Sequence, residues 1–141
     1  MHTPADHLEL ARTENDGRVL HRLVRSPYPF VWQALAANPH TPPAALLELS
    51  AARDSAWNDD RLLRLPAERP RADRTVLRAV LDATAAVLAE GERPYAAVLA
   101  LAGREELEAG EVERLGTLRG ASARLRGLLA RRLDSRAPDR A

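Results

Sequence analysis

ALAANPHTPPAALLEL, from Ala34 to Leu49, holds two short apolar helices apart with a turn through which neither can continue. Asn38 precedes a proline, which disfavours the α conformation at the residue before it, so a helix carrying Ala34, Leu35 and Ala37 ends there. Thr41 is placed to cap the following helix, with Pro42 at its first position, where a missing N–H is harmless. Ala45, Leu46 and Leu49 then fall on one stripe. The unit reads as an αα-hairpin with an apolar inner face.

Extended to LAANPHTPPAALLELSAARD, the stretch resembles the repeat unit of leucine-rich repeat variant proteins, relatives of the HEAT-type α-solenoids. Val31, Ala34, Leu35 and Ala36 match the first-helix pattern of that family. Asn38-Pro39 and Thr41-Pro42 match its inter-helix turn, and Leu46, Leu49 and Asp54 its second helix and exit. One unit, at about residues 30–54, carries the match. The resemblance implies an all-α fold of stacked helical hairpins, a short HEAT-like α-solenoid, and it brings no catalytic residues with it.

Upstream, TPADHLELA from Thr3 echoes TPPAALLELS from Thr41 with one residue fewer, which reads as a degenerate second half of a repeat. Glu14 to Gly17 is a turn, and Val19, Leu20, Leu23 and Val24 follow at helical spacing. Ser26-Pro27-Tyr28-Pro29 is another helix stop before the helix over about 29–37. Downstream, Asn58 or Asp59 is placed to cap a helix over Arg61 to Leu65. A shift of 31 residues lays Val31 on Leu62, Trp32 on Leu63, Pro39 on Pro70, Leu46 on Leu77 and Leu49 on Val80, although the asparagine-proline signature is lost.

Beyond this the chain is helical but less regular. Val76, Leu77, Val80, Leu81, Thr84, Val87 and Leu88 predict the longest helix, with Asp73 near its start and Gly91 as its stop. Pro94 opens another helix that ends at Gly103, a short one carries Val112, Leu115 and Leu118, and the last runs over about 121–134. The expectation is nine or ten helices in one domain over 1–134. Its repeat-like part is 3–70 and its irregular part 71–134, with a frayed tail at 135–141.

Composition narrows the function classes. The 141 residues contain no cysteine, which removes disulfides, thiolate metal sites and a cysteine nucleophile together. All 21 basic residues are arginine, so no lysine-dependent mechanism is open. With aromatics at 4%, the core has to be built from leucine, alanine and valine, and small alanine surfaces let helices approach closely. No apolar run is long enough for a membrane span and no secretory signal is legible, so a cytoplasmic protein is expected.

No catalytic constellation stands out. His2, His7, His21 and His40 lack the spacing of a helical zinc site, so neither a metal nor another cofactor is expected. Asp59-Asp60 and Glu105-Glu106 are neighbours in sequence, and adjacent helix positions point apart. There is no G-x-S-x-G elbow, P-loop or glycine-rich dinucleotide turn. A non-enzymatic module that binds another protein is therefore the first expectation, either as a scaffold or as an accessory subunit. Its candidate contacts are Arg25, Tyr28, Trp32 and His40. Core packing is the default for Trp32 and Trp57; an exposed Trp32 beside Tyr28 would instead mark a hot spot.

The alternative is nucleic-acid binding. Residues 1–60 hold five arginines against eight acids and residues 61–118 nine against ten, whereas 119–141 hold seven against two. Arg124, Arg131 and Arg132 form a strip opposite the leucines, with Arg119 and Arg126 at its edges. Such a strip meets phosphates or an acidic surface, or else is a solvated face that complements the helix dipole.

Overall fold

The computed structural model describes residues 3–136. Among them are nine α-helices, one 3-10 turn and no strand. The helices are α1 Pro4–Thr13, α2 Gly17–Leu23, α3 Pro29–Ala37, α4 Pro43–Leu49, α5 Ala56–Ala67, α6 Arg74–Ala89, α7 Tyr95–Ala102, α8 Ala109–Glu113 and α9 Ala123–Asp134. The 3-10 turn Arg114–Thr117 continues directly from α8. Short polar residues start five of them, because a side-chain oxygen satisfies an otherwise orphaned N–H of the first turn. Thr3 and Asp6 form a reciprocal capping box, Asp16 accepts from Arg18 N at 2.9 Å, and Asp73 accepts from Val76 N at 2.8 Å. Ser55 and Ser122 cap α5 and α9. Gly91, with φ +94°, closes α6 as its sequence position predicts.

Three local expectations are corrected. Thr41 does not cap α4: its buried hydroxyl donates to Leu35 O at 2.6 Å, Pro42 takes the cap position and Pro43 begins the helix. Asn58 and Asp59 do not cap α5, whose cap is Ser55, three to four residues earlier; Asp59 is buried and accepts from Asp54 N at 2.6 Å. The Thr3 helix is not placed as the second helix of a unit. It packs against α3, whereas α4, whose sequence it echoes, packs against α2 and α6.

The packing order is alternating. α1 lies against α3, α3 against α5, α5 against α7 and α7 against α9, while α2 meets α4 and α4 meets α6. Leu20, Val31, Leu35, Leu49, Leu63, Leu77, Leu88 and Leu101 are among the fully buried side chains between these helices. Of the residues paired by the 31-residue shift, Val31 and Leu62, Leu46 and Leu77, and Leu49 and Val80 are buried and Pro39 and Pro70 exposed, whereas Trp32 is half-buried and Leu63 fully buried. Trp57 is not in the core. It is 78% exposed on the first turn of α5.

Where each odd-numbered helix ends, a side chain from the following odd-numbered helix's exit reaches back to its carbonyls. Asn38, after α3, donates through Nδ2 to Ala11 O and Glu14 O, both at 2.9 Å. Arg69, after α5, donates to Ala36 O, Asn38 O, Pro39 O and Thr41 O at 2.8–3.2 Å. Arg104, after α7, donates to Arg69 O at 2.7 Å. Arg136, after α9, reaches Leu101 O, Ala102 O, Arg104 O and Leu107 O. The last carbonyls of a helix have no partner within it, so each crossing satisfies groups that packing would otherwise leave orphaned. Ser135 closes α9 and Arg136 is anchored in this way; the remainder of the expected tail, 137–141, lies outside the described residues.

Candidate functional site

α3 is the middle member of the α1, α3, α5 series, and it presents two faces. Val31 and Leu35 point to the core, while Phe30, Gln33, Ala34 and Ala37 recur at the three- and four-residue spacing of the opposite stripe. That stripe is the floor of an open groove of about 620 Å³. Leu8 and Arg12 of α1 form one wall, and Asn58 and Arg61 of α5 the other. The small side chains of Ala34 and Ala37 leave the space that gives the groove its depth.

Polar groups fix the α5 wall. Gln33 Nε2 donates to Asn58 O at 2.8 Å, and Asn58 Nδ2 donates to Asp54 Oδ2 at 2.6 Å. Gln33 itself is buried, and its Oε1 has no hydrogen-bond partner among the described residues. Phe30, at the N-terminal end of the floor, is 45% exposed and stacks on Tyr28 with ring centroids 5.4 Å apart. Phe30 and Trp57 are the large hydrophobic side chains left exposed among the described residues. They stand on the first turns of two helices that pack together.

No family model matches the chain, and no curated protein or solved structure matches it. Among the described residues no group of three histidine or acidic side chains is placed to hold a metal ion. No helix is long and apolar enough to cross a membrane.

The four residues expected to contact a partner are not gathered in one place. Tyr28 is half-buried between Phe30 and His7, whose ring centroids lie 5.4 and 6.3 Å away. Trp32 is half-buried and its indole N–H donates to Ser26 O at 2.7 Å, which fixes the ring against the α2–α3 connection. Arg25 is exposed on that connection, and His40 is exposed in the turn after α3. The nine residues of α3, about 13 Å of helix, separate Tyr28 from His40.

Arg119, Arg124, Arg126, Arg131 and Arg132 are all exposed. Arg124, Arg131 and Arg132 share one face of α9 at helical spacing, whereas Arg126 projects from the other side, its stem over Gly116 and its guanidinium donating to Ala121 O.

Elsewhere charge is used structurally. Arg78 and Arg74 converge on Glu111, tying α6 to α8 and holding the Glu111 carboxyl below its ordinary range, chiefly through the hydrogen bond from Arg78. Asp60 accepts from Ala97 N at 2.9 Å in the first turn of α7, where burial raises its carboxyl above the ordinary value against the opposing pull of that hydrogen bond.

Sequence reasoning passed over Phe30, Gln33, Arg12 and Arg61. The available signal was the second stripe of α3: a phenylalanine and a glutamine at i and i+3, opposite the valine and leucine that the hairpin needs for its core.

Proposed function

We propose that the chain is a non-enzymatic α-helical repeat module, a short HEAT-like α-solenoid, that binds another protein as a scaffold or accessory subunit in the cytoplasm. The observation that carries this reading is the placement of Phe30 on the floor of an open groove, with Trp57 exposed on the first turn of the adjacent α5. Large aromatic surface left in water beside a concavity is the usual anchor of a protein interface. The repeat character draws on two further features. Odd-numbered helices pack in series, and the back-reaching exit side chains Asn38, Arg69, Arg104 and Arg136 recur along the chain. Arg69-Pro70 then stands where Asn38-Pro39 stands one unit earlier, with a guanidinium replacing the amide as the carbonyl donor.

The test is affinity purification with the full chain as bait in extract of the organism that encodes it. A Phe30→Ala, Trp57→Ala double variant is run beside it. A stoichiometric protein partner captured by the first bait and lost with the second is expected. Loss of no partner between the two baits would overturn the reading.

A second reading is nucleic-acid binding through Arg124, Arg131 and Arg132, with Arg119 and Arg126 beside them. It is favoured by the common face of the first three, none of which is engaged in an ion pair among the described residues. Few phosphate contacts give weak binding that falls steeply with salt. A shift of duplex or single-stranded DNA or RNA at low salt, abolished by alanine at those three positions, is its signature.

A further inference from the structure

Two uncommitted arginines stand on opposite walls of the α1–α3–α5 groove. Arg12 and Arg61 are exposed, and neither makes a hydrogen bond or ion pair with any described residue. Most other groove-level polar groups are engaged. Asn38 is taken up by the Ala11 and Glu14 carbonyls, and Asp54, the acidic residue of the lining, already accepts from Asn58. The groove thus carries a positive excess above an apolar floor of Phe30, Ala34 and Ala37 beside Leu8 of the wall, and Trp57 stands one helical turn from Arg61 on the same side of α5. Gln33 adds an acceptor, Oε1, that no described residue satisfies.

We infer that this groove receives an extended acidic peptide segment of a partner protein, with a large apolar side chain covering Phe30 and acidic side chains paired with Arg12 and Arg61. The inference rests on the protein-binding reading above and gives the partner's chemistry. Geometry sets the length. Crossing from α1 over α3 to α5 spans two interaxial distances of about 8–10 Å each, the reach of roughly five or six extended residues. Chemistry sets the class. An arginine pair presents ten N–H donors in planar forks suited to a carboxylate, and the ion pair gains from the partial exclusion of water by the aromatic rings. A nucleic-acid backbone fits less well, since two arginines neutralise only about two phosphates and Asp54 opposes a third.

The experiment pans the full chain against a display library of random 12-residue peptides, then measures a fluorescein-labelled synthetic copy of the most enriched one. Expected is enrichment of peptides that place Asp or Glu within a few residues of Phe, Leu or Trp. Affinity should fall at least tenfold with Arg12→Glu plus Arg61→Glu, with circular dichroism unchanged, and return when the peptide carries lysine in place of its acid. Alanine at Arg124, Arg131 and Arg132 should change nothing. Peptides without acidic residues, or binding indifferent to the charge reversal, would overturn the inference while leaving the protein-binding reading to the affinity purification. Stronger binding of a labelled oligouridylate or oligothymidylate, lost on the same charge reversal, would overturn it in favour of nucleic acid.

Discussion

Arg69 provides the sharpest test of how the helices are held in series. Its guanidinium donates to four carbonyls of the α3–α4 connection, at 3.2 Å to Ala36, 2.8 Å to Asn38, 3.1 Å to Pro39 and 3.2 Å to Thr41. Arg69→Met keeps the aliphatic stem and removes every donor. A hydrogen bond to a charged group contributes about 1.5–3 kcal/mol. The four do not add, because the connection is partly open to water and Pro39 O can be rehydrated; the expected loss is about 2–4 kcal/mol. With an m-value of about 2 kcal/mol/M for a chain of this size, the urea midpoint should fall by roughly 1–2 M. Arg69→Lys should lose an intermediate amount, since a compact ammonium cannot span four acceptors. Arg71→Met, two residues away at an exposed position, is the control, expected within about 0.5 kcal/mol of the parent. If Arg69→Met and Arg71→Met shift the midpoint equally, the crossing contributes nothing and the serial account fails.

Further outcomes follow from other contacts. Asp60 has a carboxyl raised by burial, so the folded state takes up its proton more readily than the unfolded chain, and stability rises as pH falls from neutral through the folded value towards the ordinary carboxylate range. Asp60→Asn should remove that gain, so the melting-temperature difference between parent and variant should move in favour of the parent as pH falls; a pH-independent difference would refute the burial argument. Trp57→Phe should leave the melting temperature within about 2 °C and shift tryptophan emission to the blue, because the half-buried Trp32 then emits alone; an unshifted spectrum would contradict the exposure of Trp57. Gly120→Ala should be severe: a Cβ there would lie 1.9 Å from Glu92 O, and Gly120 N donates to Leu88 O at 2.8 Å. A loss of at least about 2–3 kcal/mol in chemical denaturation is expected, because backbone on both sides must move.

What the sequence disclosed was mostly punctuation. Asp73, Gly91, Gly103 and the Asn38-Pro39 step act on their own immediate backbone, so helix limits at those points could be read directly. Thr41 was misjudged because two prolines follow it, and the choice between Pro42 and Pro43 as first helical residue depends on a hydroxyl reaching back to Leu35. The Thr3 helix was misjudged because a cap signature states where a helix begins and nothing about its neighbours. Arg69, Arg104 and Arg136 were invisible as a set, since their common task is to donate to carbonyls some thirty residues earlier, and the first member of the series performs it with an asparagine. The groove was invisible for a related reason: its walls come from helices that only tertiary packing brings to either side of α3.

The crossings also have a direction. Every donor lies 24–35 residues after the carbonyls it serves, from Asn38 onto Glu14 to Arg104 onto Arg69 and Arg136 onto Leu101. On a ribosome the acceptors of each unit therefore emerge first and remain open to solvent until the next unit has been made. Each newly synthesised segment would then add a lock to the one before it. Truncations from the C-terminal side should then unlock the array one step at a time, whereas removal of the N-terminal helix would strip away a surface without opening any later lock.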